Sequence, residues 1–221
     1  ESVNAVRAAV GPEFPVGVKL NSADFQRGGF DFTESLQVAK WLEAAGVDLL
    51  EISGGTYEQP RLLNVEGIEP IENQAIAQST RAREAYFVDF AQAMRKELTM
   101  PLMVTGGLRR LDAMESALES GSADVVGIGR PMCVMTDAPK RLLAGMEQLP
   151  RYEDALSLLP GWLKILEKIS LFKTLGTFAV QYWYYEQILL LGEQGKTSDD
   201  LSVFAATRRQ MKLANDLAAA R

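Results

Sequence analysis

Short apolar runs alternate with amphipathic segments through the first two thirds of the chain. Four of these runs have the length and β-branched content of buried strands, and turn residues bound them. They lie at residues 15–21, 47–53, 102–105 and 125–128. Because the segments between them repeat apolar residues at helical spacing, the sequence predicts an α/β fold with a parallel sheet.

Residues that commonly cap the amino-terminal ends of helices mark where several helices are predicted to begin. Asp31, with Glu34 three residues later, is predicted to cap one helix, and Asp112 with Glu115 forms a predicted capping box at another. Asp137 is predicted to cap a third helix, which has proline in its first turn. Two further predicted helices lie at residues 3–10 and 79–98.

A weak internal repeat supports this layout. Residues 44–55 resemble residues 120–129, since both contain a helix end, a glycine, an aspartate, an apolar strand and a glycine turn. Four such βα units are half of a (β/α)8 barrel, and four parallel strands cannot close on themselves. Either the strands form an open, doubly wound sheet, or a partner half of the barrel is missing. The helical pattern that opens the chain favours the missing half.

The pattern changes at about residue 150 to helix without strand signals. We therefore predict two domains, a half-barrel at residues 1–148 and a helical extension at residues 149–221. The aromatic stretch within residues 172–185 is predicted to pack on the barrel or on a second subunit, with ligand contact as the alternative. Residues 197–221 are predicted to form an exposed terminal helix. A long loop is predicted at residues 56–78, and such loops often carry function.

Glycines follow the last two predicted strands. Gly106 and Gly107 come after the third strand, and Gly129 with Arg130 comes after the fourth. Bare amide groups at the carboxyl ends of neighbouring parallel strands suit a phosphate, and Arg130 adds a cation with several N–H donors. Glycines after strands are also ordinary turn residues, and this second interpretation stays open on the pattern alone. The stretch is therefore a candidate phosphate site.

Composition narrows the classes of function. The 221 residues carry a net charge of −6, which argues against nucleic acid as the main partner. The chain contains no histidine, so histidine-based catalysis and most zinc sites are excluded within it. A single cysteine excludes an internal disulfide and is typical of a reducing compartment. Without a leader pattern or an apolar run of membrane length, the protein is predicted to be cytoplasmic, with no membrane partner.

Two segments resemble the old yellow enzyme family of FMN-dependent NAD(P)H:flavin oxidoreductases. They are residues 16–55, from VGVKLN to ISGG, and residues 104–132, which contain VTGG and GIGR. The resemblance covers about residues 1–148 and implies strands five to eight of a (β/α)8 TIM barrel. The extension after residue 150 is similar to one found in some members of the family.

The resemblance also implies roles for individual residues. Lys19 stands where the family has a cation beside the flavin N1–C2=O edge, and a fixed cation stabilises the negative charge of reduced FMN. The alternative from the sequence is that Lys19 pairs with Glu51. Gly106, Gly107, Gly129 and Arg130 match the FMN-phosphate site. More weakly, Tyr57 falls where the loop after strand six borders the substrate pocket.

Two functions follow from these observations. The first is half of an FMN oxidoreductase that passes hydride from NAD(P)H through flavin to an electron-poor small molecule such as an α,β-unsaturated carbonyl. The family's substrate-anchoring and proton-donating residues belong to the other half, so no catalytic residue is assigned and the fragment alone is expected to be inactive. The second is a non-catalytic half-barrel that binds a phosphorylated ligand, or a subunit that assembles through its strand edges, including as a homo-oligomer.

Overall fold

A computed structural model describes residues 1–24, 29–53, 80–159 and 170–219 of the protein. The described residues divide after Ile128 into two units. The first unit has four strands with helices between them, and the described part of the second unit contains helices and no strand. The alternation of strand and helix, and the later change to helix, therefore follow the predicted order.

The four strands form one parallel sheet. They are β1 (Gly17–Asn21), β2 (Leu49–Ser53), β3 (Leu102–Thr105) and β4 (Val125–Gly127). Their order in the sheet is β1-β2-β3-β4, and every neighbouring pair is parallel. The predicted α/β class and parallel sheet are confirmed. Within these four strands the order never reverses, so right-handed crossovers place the connecting helices on one face of the sheet.

One face of the sheet forms the core of the first unit. Leu50, Ile52, Leu102 and Val104 alternate along β2 and β3 and are almost completely buried. The helices of this unit supply matching small and apolar residues, of which Ala39 is fully buried. They are α1 (Ser2–Val10), α2 (Phe32–Ala44), α3 (Thr80–Arg95) and α4 (Leu111–Glu119).

The opposite face of the sheet is only partly covered by the described residues. Lys19, Glu51, Met103 and Val125 lie side by side across it, one from each strand. Val125, the first residue of the outermost described strand β4, is a β-branched apolar residue and is 41% exposed. Parallel sheets are normally covered on both faces. This face therefore has the character of an interior surface that is left accessible.

The observed amino-terminal ends of the helices can be compared with the predicted caps. Asp31 and Glu34 form a capping box, with the Asp31 carboxylate accepting from the Glu34 amide at 2.9 Å. The capping box predicted at Asp112 is wrong, because α4 begins at Leu111 and Asp112 lies inside its first turn. The Asp112 carboxylate instead accepts a hydrogen bond from Arg110 Nε at 2.8 Å.

Asp137 occupies the predicted cap position, but its side chain does not cap the helix. This residue precedes α5 (Ala138–Leu143), which does have proline in its first turn as predicted. The Asp137 side chain makes no cap hydrogen bond, and its carboxylate accepts from Arg141 Nε one turn later at 2.9 Å. A nearby guanidinium is a charged donor and competes well with a backbone amide.

An aspartate–arginine clamp closes the amino-terminal edge of the sheet at β1. Asp48 Oδ2 accepts a hydrogen bond from the amide of Val16 at 2.7 Å and also binds Arg7, which lies on α1. Arg7 donates further to the carbonyl oxygen of Gly46 at 2.9 Å. The backbone amide of Val16, followed by Arg7, holds the pKa of the Asp48 carboxyl below its ordinary value.

The internal repeat reproduces this clamp at β3. Asp124 Oδ2 accepts from the amide of Leu102 at 2.7 Å and binds Arg95, which lies on α3. Arg95 donates to the carbonyl oxygens of Gly121 at 3.2 Å and of Met100 at 3.1 Å. Each clamp thus joins a strand start, the aspartate before the next strand and an arginine from the preceding helix. The internal repeat in the sequence therefore corresponds to a structural repeat of this contact.

The second unit is built around two long helices, α6 (Ser170–Gln194) and α7 (Val203–Ala219). Trp183 and Tyr184 of α6 are buried in a cluster that includes Val203 and Ala206 of α7. Of the predicted aromatic stretch, Phe178 and others are exposed instead, so only part of it packs on the described residues. The terminal helix is largely exposed as predicted, apart from its buried first turn.

Short elements complete the second unit. They are α5, given above, and two 3-10 turns, Arg130–Cys133 and Tyr152–Asp154. Cys133 packs against the cluster of α6 and α7, and burial raises the pKa of its thiol. No helix in the described part of the chain is long and apolar enough to span a bilayer.

Candidate flavin-phosphate site

The carboxyl ends of β3 and β4 lie side by side in the first unit. Thr105, the last residue of β3, is paired with Gly127, the last residue of β4. Directly after Thr105, Gly106 has φ 145° and Gly107 has φ 73°, both in the region that favours glycine. The predicted glycine turn after β3 is therefore a backbone turn that other residues would adopt only with strain.

Two backbone amides at this turn have no backbone acceptor in the described part of the chain. Among the residues that the structure describes, the amides of Gly106 and Gly107 donate no backbone hydrogen bond. Neither glycine is exposed enough to be fully hydrated, since both are half-buried. Half-buried amides without partners are suited to an anion, because they donate hydrogen bonds and have no side chain that blocks approach.

Sequence reasoning missed two residues beside this turn. A Cβ atom at Gly127 would lie 2.7 Å from Met103 Cε and 2.8 Å from Thr105 Cβ, so the pairing excludes any side chain there. Thr105 Oγ1 is buried and has no hydrogen-bond partner among the described residues. The signal was available, because Thr105 ends one of the two apolar runs that the glycines follow and Gly127 lies next to the last residue of the other.

Lys19 lies on the same face of the sheet as Thr105 and Gly127. Its Nζ atom is 2.6 Å from Glu51 Oε1 on the neighbouring strand, and its side chain is 54% exposed. Lys19 is level with Met103 and two strands away from it. It is therefore about 10 Å across the sheet and about 10 Å along it from Gly106. A ligand that touches both must be elongated.

Gly129 and Arg130 belong to the second unit. Gly129 has an ordinary negative φ of −97°, and no atom lies within 4 Å of the position that a Cβ atom would take. Arg130 Nη1 is 3.1 Å from Glu153 Oε1, and its side chain is 34% exposed. A guanidinium has five N–H donors, so this single contact leaves donors for another anion.

The remaining predicted site residue, Tyr57, lies outside the described residues, as does the loop predicted around it. Within the described ranges, no group of acidic or cysteine side chains has the arrangement of a metal site. The first unit thus offers a cation, a glycine turn and a hydroxyl that has no partner in the described part of the chain, and the second unit offers an arginine.

A model of the NADH:flavin oxidoreductase / NADH oxidase family matches residues 1–148, which is two thirds of the chain. The chain belongs to this family. The family membership agrees with the resemblance seen in the sequence. The family match ends at residue 148, before the second 3-10 turn. Glu153, α6 and α7 therefore lie beyond the match.

Individual family members support the same assignment. The chain is 39% identical over 148 residues to the NADH-dependent flavin oxidoreductase iccE of Talaromyces variabilis, covering 66% of this chain and 34% of the relative. It is 30% identical to the NADH oxidase of Thermoanaerobacter brockii over 148 residues, covering 66% and 21%. The chain therefore spans about a third or less of these curated relatives.

A solved structure of the 2-naphthoyl-CoA reductase complex with 2-naphthoyl-CoA also matches this family member. The TM-score is 0.54 at 26% sequence identity, and the match covers 65% of this chain and 20% of the reductase chain.

Proposed function

We propose that residues 1–148 are the carboxyl-terminal half of an FMN-binding (β/α)8 TIM barrel and that residues 149–221 are its helical extension. The main support is the sheet. Its four parallel strands follow chain order, and the face with Lys19 and Val125 is left accessible. A barrel has its strands in this order and its helices outside, and the accessible face is then the interior. The missing amino-terminal half is the proposed partner that covers this face.

The residues of the first unit fit FMN. In a TIM barrel, a phosphate commonly lies at the loops after strands seven and eight, which correspond to β3 and β4 in this proposal. The amides of Gly106 and Gly107 and the Thr105 hydroxyl, which have no partner within the described ranges, can donate hydrogen bonds to an anion there. On family resemblance, Gly129 and Arg130 are proposed to bind the same phosphate.

Lys19 is proposed to bind the flavin ring of FMN. The separation of Lys19 from the glycine turn requires a ligand whose ring and phosphate are far apart, and FMN has that form. A bound FMN would supply hydride transfer between NAD(P)H and an electron-poor acceptor such as an α,β-unsaturated carbonyl. The contribution of Lys19 is a positive charge beside the ring, which favours the reduced and more negative flavin. Glu51 holds the ammonium group in place from the neighbouring strand.

The observation on which this proposal depends most is the accessible sheet face, and complementation tests it. The chain is co-expressed with the amino-terminal barrel half of the Talaromyces variabilis relative, and the visible spectrum and NAD(P)H consumption of the purified complex are measured. We expect a yellow complex that oxidises NAD(P)H. The matched control pairs the same half with the relative's own carboxyl-terminal half.

A colourless, inactive complex beside a yellow control would contradict the proposal. The chain without a partner half is expected to bind FMN weakly and to show no turnover, because half of the barrel is absent. The substrate role of Tyr57, the cytoplasmic location and assembly as a homo-oligomer remain predictions of the same proposal.

A further inference from the structure

Arg130 is held by residues that lie outside the family match. Its guanidinium contacts Glu153 at 3.1 Å, and Glu153 Oε2 accepts a hydrogen bond from the hydroxyl of Tyr184 at 2.8 Å. Arg130 precedes the family boundary at residue 148, whereas Glu153 and Tyr184 follow it. All three residues belong to the second unit.

Burial distinguishes the members of this triad. The Glu153 side chain is 8% exposed and Tyr184 is 4% exposed, whereas the Arg130 side chain is 34% exposed. A buried carboxylate is stable only when it is paired and hydrogen-bonded, so Glu153 is fixed by its surroundings and Arg130 is the more exposed partner. Tyr184 is itself fixed, since its ring packs edge to face on Trp183 at 5.2 Å.

The ion pair between Arg130 and Glu153 joins Nη1 to Oε1 at 3.1 Å. A guanidinium has five N–H donors, so such a contact restricts the rotamer of a long, flexible side chain and leaves other N–H groups available. This is the arrangement expected of a residue that orients an arginine for a second anion.

We propose that Glu153 and Tyr184 are positioning residues that orient Arg130 toward the phosphate of FMN. The helical extension then has a function in cofactor binding, because it supplies the residues that preorganise an arginine of the family-matched part. This inference rests on the proposed function, in which Arg130 binds the phosphate. The opposite possibility is that Glu153 competes with the phosphate for Arg130, and the two make opposite predictions.

The test compares FMN with riboflavin, which has the same ring and no phosphate. Dissociation constants for both flavins are measured by equilibrium dialysis on the complemented barrel described above, and their ratio reports the phosphate contact alone. Glu153→Ala is expected to weaken the binding of FMN about tenfold and to leave the binding of riboflavin unchanged. Glu153→Gln keeps an acceptor for Arg130 and is expected to stay within about threefold of wild type. With Arg130→Met already present, Glu153→Ala should have no further effect.

Two further variants serve as controls. Tyr184→Phe removes one hydroxyl and, like Glu153→Ala, should weaken the binding of FMN, here by about threefold. Asp154→Asn changes the neighbouring acid, which is 59% exposed and paired with Arg151, and should leave the ratio unchanged. Circular dichroism and the urea midpoint of each variant identify any that fail to fold, and Tyr184→Phe then carries the test.

The possible outcomes are distinct. If Glu153→Ala and Glu153→Gln both tighten FMN, Glu153 is a competitor and the positioning role is wrong. Equal weakening of both flavins would also overturn it, because a general structural effect does not discriminate by the phosphate. If the wild-type complex itself does not prefer FMN over riboflavin, the phosphate site of the proposed function fails.

Discussion

The two edges of the sheet differ in chemistry. At the amino-terminal edge, Asp48 and Asp124 each bind a strand-start amide and an arginine of the preceding helix, so these charged groups have partners within the chain. At the carboxyl-terminal edge, the amides of Gly106 and Gly107 and the hydroxyl of Thr105 have no such partner among the described residues. In parallel α/β folds, the first edge serves stability and the second carries the site. The distribution of satisfied and unsatisfied groups follows that division.

The largest effect is expected at Gly127, on the carboxyl-terminal edge. Gly127→Ala places a Cβ atom 2.7 Å from Met103 Cε and 2.8 Å from Thr105 Cβ, and the paired backbone of β3 cannot move away freely. We expect a loss of about 2 kcal/mol in the free energy of unfolding, as for overpacked cores. Urea unfolding measures it.

Gly129→Ala is the matched control for this variant, because its Cβ atom would meet nothing within 4 Å and its φ is ordinary. It should change stability by less than about 0.5 kcal/mol. Adding Thr105→Gly to Gly127→Ala should recover part of the loss, since it removes the opposing Cβ. Equal losses for the two glycine variants would show that the pairing of Thr105 with Gly127 is not tight.

Arg95 at the amino-terminal edge should affect stability and not ligand preference. Arg95→Met removes the contacts with Asp124, Gly121 and Met100, and the arginine side chain is only 27% exposed. We expect a loss of about 1 kcal/mol in unfolding free energy, after allowing for the half-exposed Asp124. The ratio of FMN to riboflavin affinity should stay at the wild-type value. Arg130→Met should show the reverse pattern, and a change of that ratio in Arg95→Met would remove the distinction between the edges.

Much of this comparison could be predicted from the sequence. Strand positions, helix order and the glycine turns follow from local patterns, because apolar periodicity and glycine conformation are properties of short segments. The repeat of Asp48 and Asp124 was visible as well, but its partners Arg7 and Arg95 were not, since they come from helices whose packing the pattern does not specify. The wrong cap position at Asp112 and the absent side-chain cap at Asp137 have the same cause.

The site was predicted less completely than the fold. The pairing of Lys19 with Glu51 appeared only as an alternative, because it depends on strand register, which a single sequence does not fix. Thr105 was missed because a threonine at the end of a strand is unremarkable until its neighbour on the next strand is known. The contact of Arg130 with Glu153 joins residues 23 positions apart through an irregular segment, where no period exists to guide a prediction.

The amino-terminal edge should also make stability depend on pH. The Thr99 and Met100 amides and the Thr99 hydroxyl hold the pKa of Glu43 below its ordinary value, and the Val16 amide with Arg7 does the same for Asp48. A carboxyl with a lowered folded pKa contributes stability above its unfolded pKa and loses it as pH falls through the folded pKa. The urea midpoint should therefore decrease as pH falls below about 4.5.

Substitution of these two carboxyl groups tests whether the pH dependence arises at the amino-terminal edge of the sheet. Glu43→Gln and Asp48→Asn should each lower the midpoint at pH 7 and flatten its decrease between pH 5 and pH 3, because the lost carboxyl no longer titrates. Glu119→Gln, an exposed acid at the end of α4, is the control and should keep the wild-type slope. A wild-type slope in both edge variants would mean that these contacts do not stabilise the folded state.

The smallest effect on stability is expected from the ion pair between Lys19 and Glu51. Lys19 is 54% exposed and Glu51 is 23% exposed, so solvent screens much of their attraction, and a double-mutant cycle of Lys19→Met with Glu51→Gln should give a coupling below about 0.5 kcal/mol. A pair that contributes so little to folding, on the accessible face, is available for a ligand. In the complemented barrel, Lys19→Met should lower the reduction potential of the bound flavin, because the positive charge that favours the reduced ring is lost. An unchanged potential together with a large coupling energy would instead assign Lys19 to the sheet and leave the flavin ring without its cation.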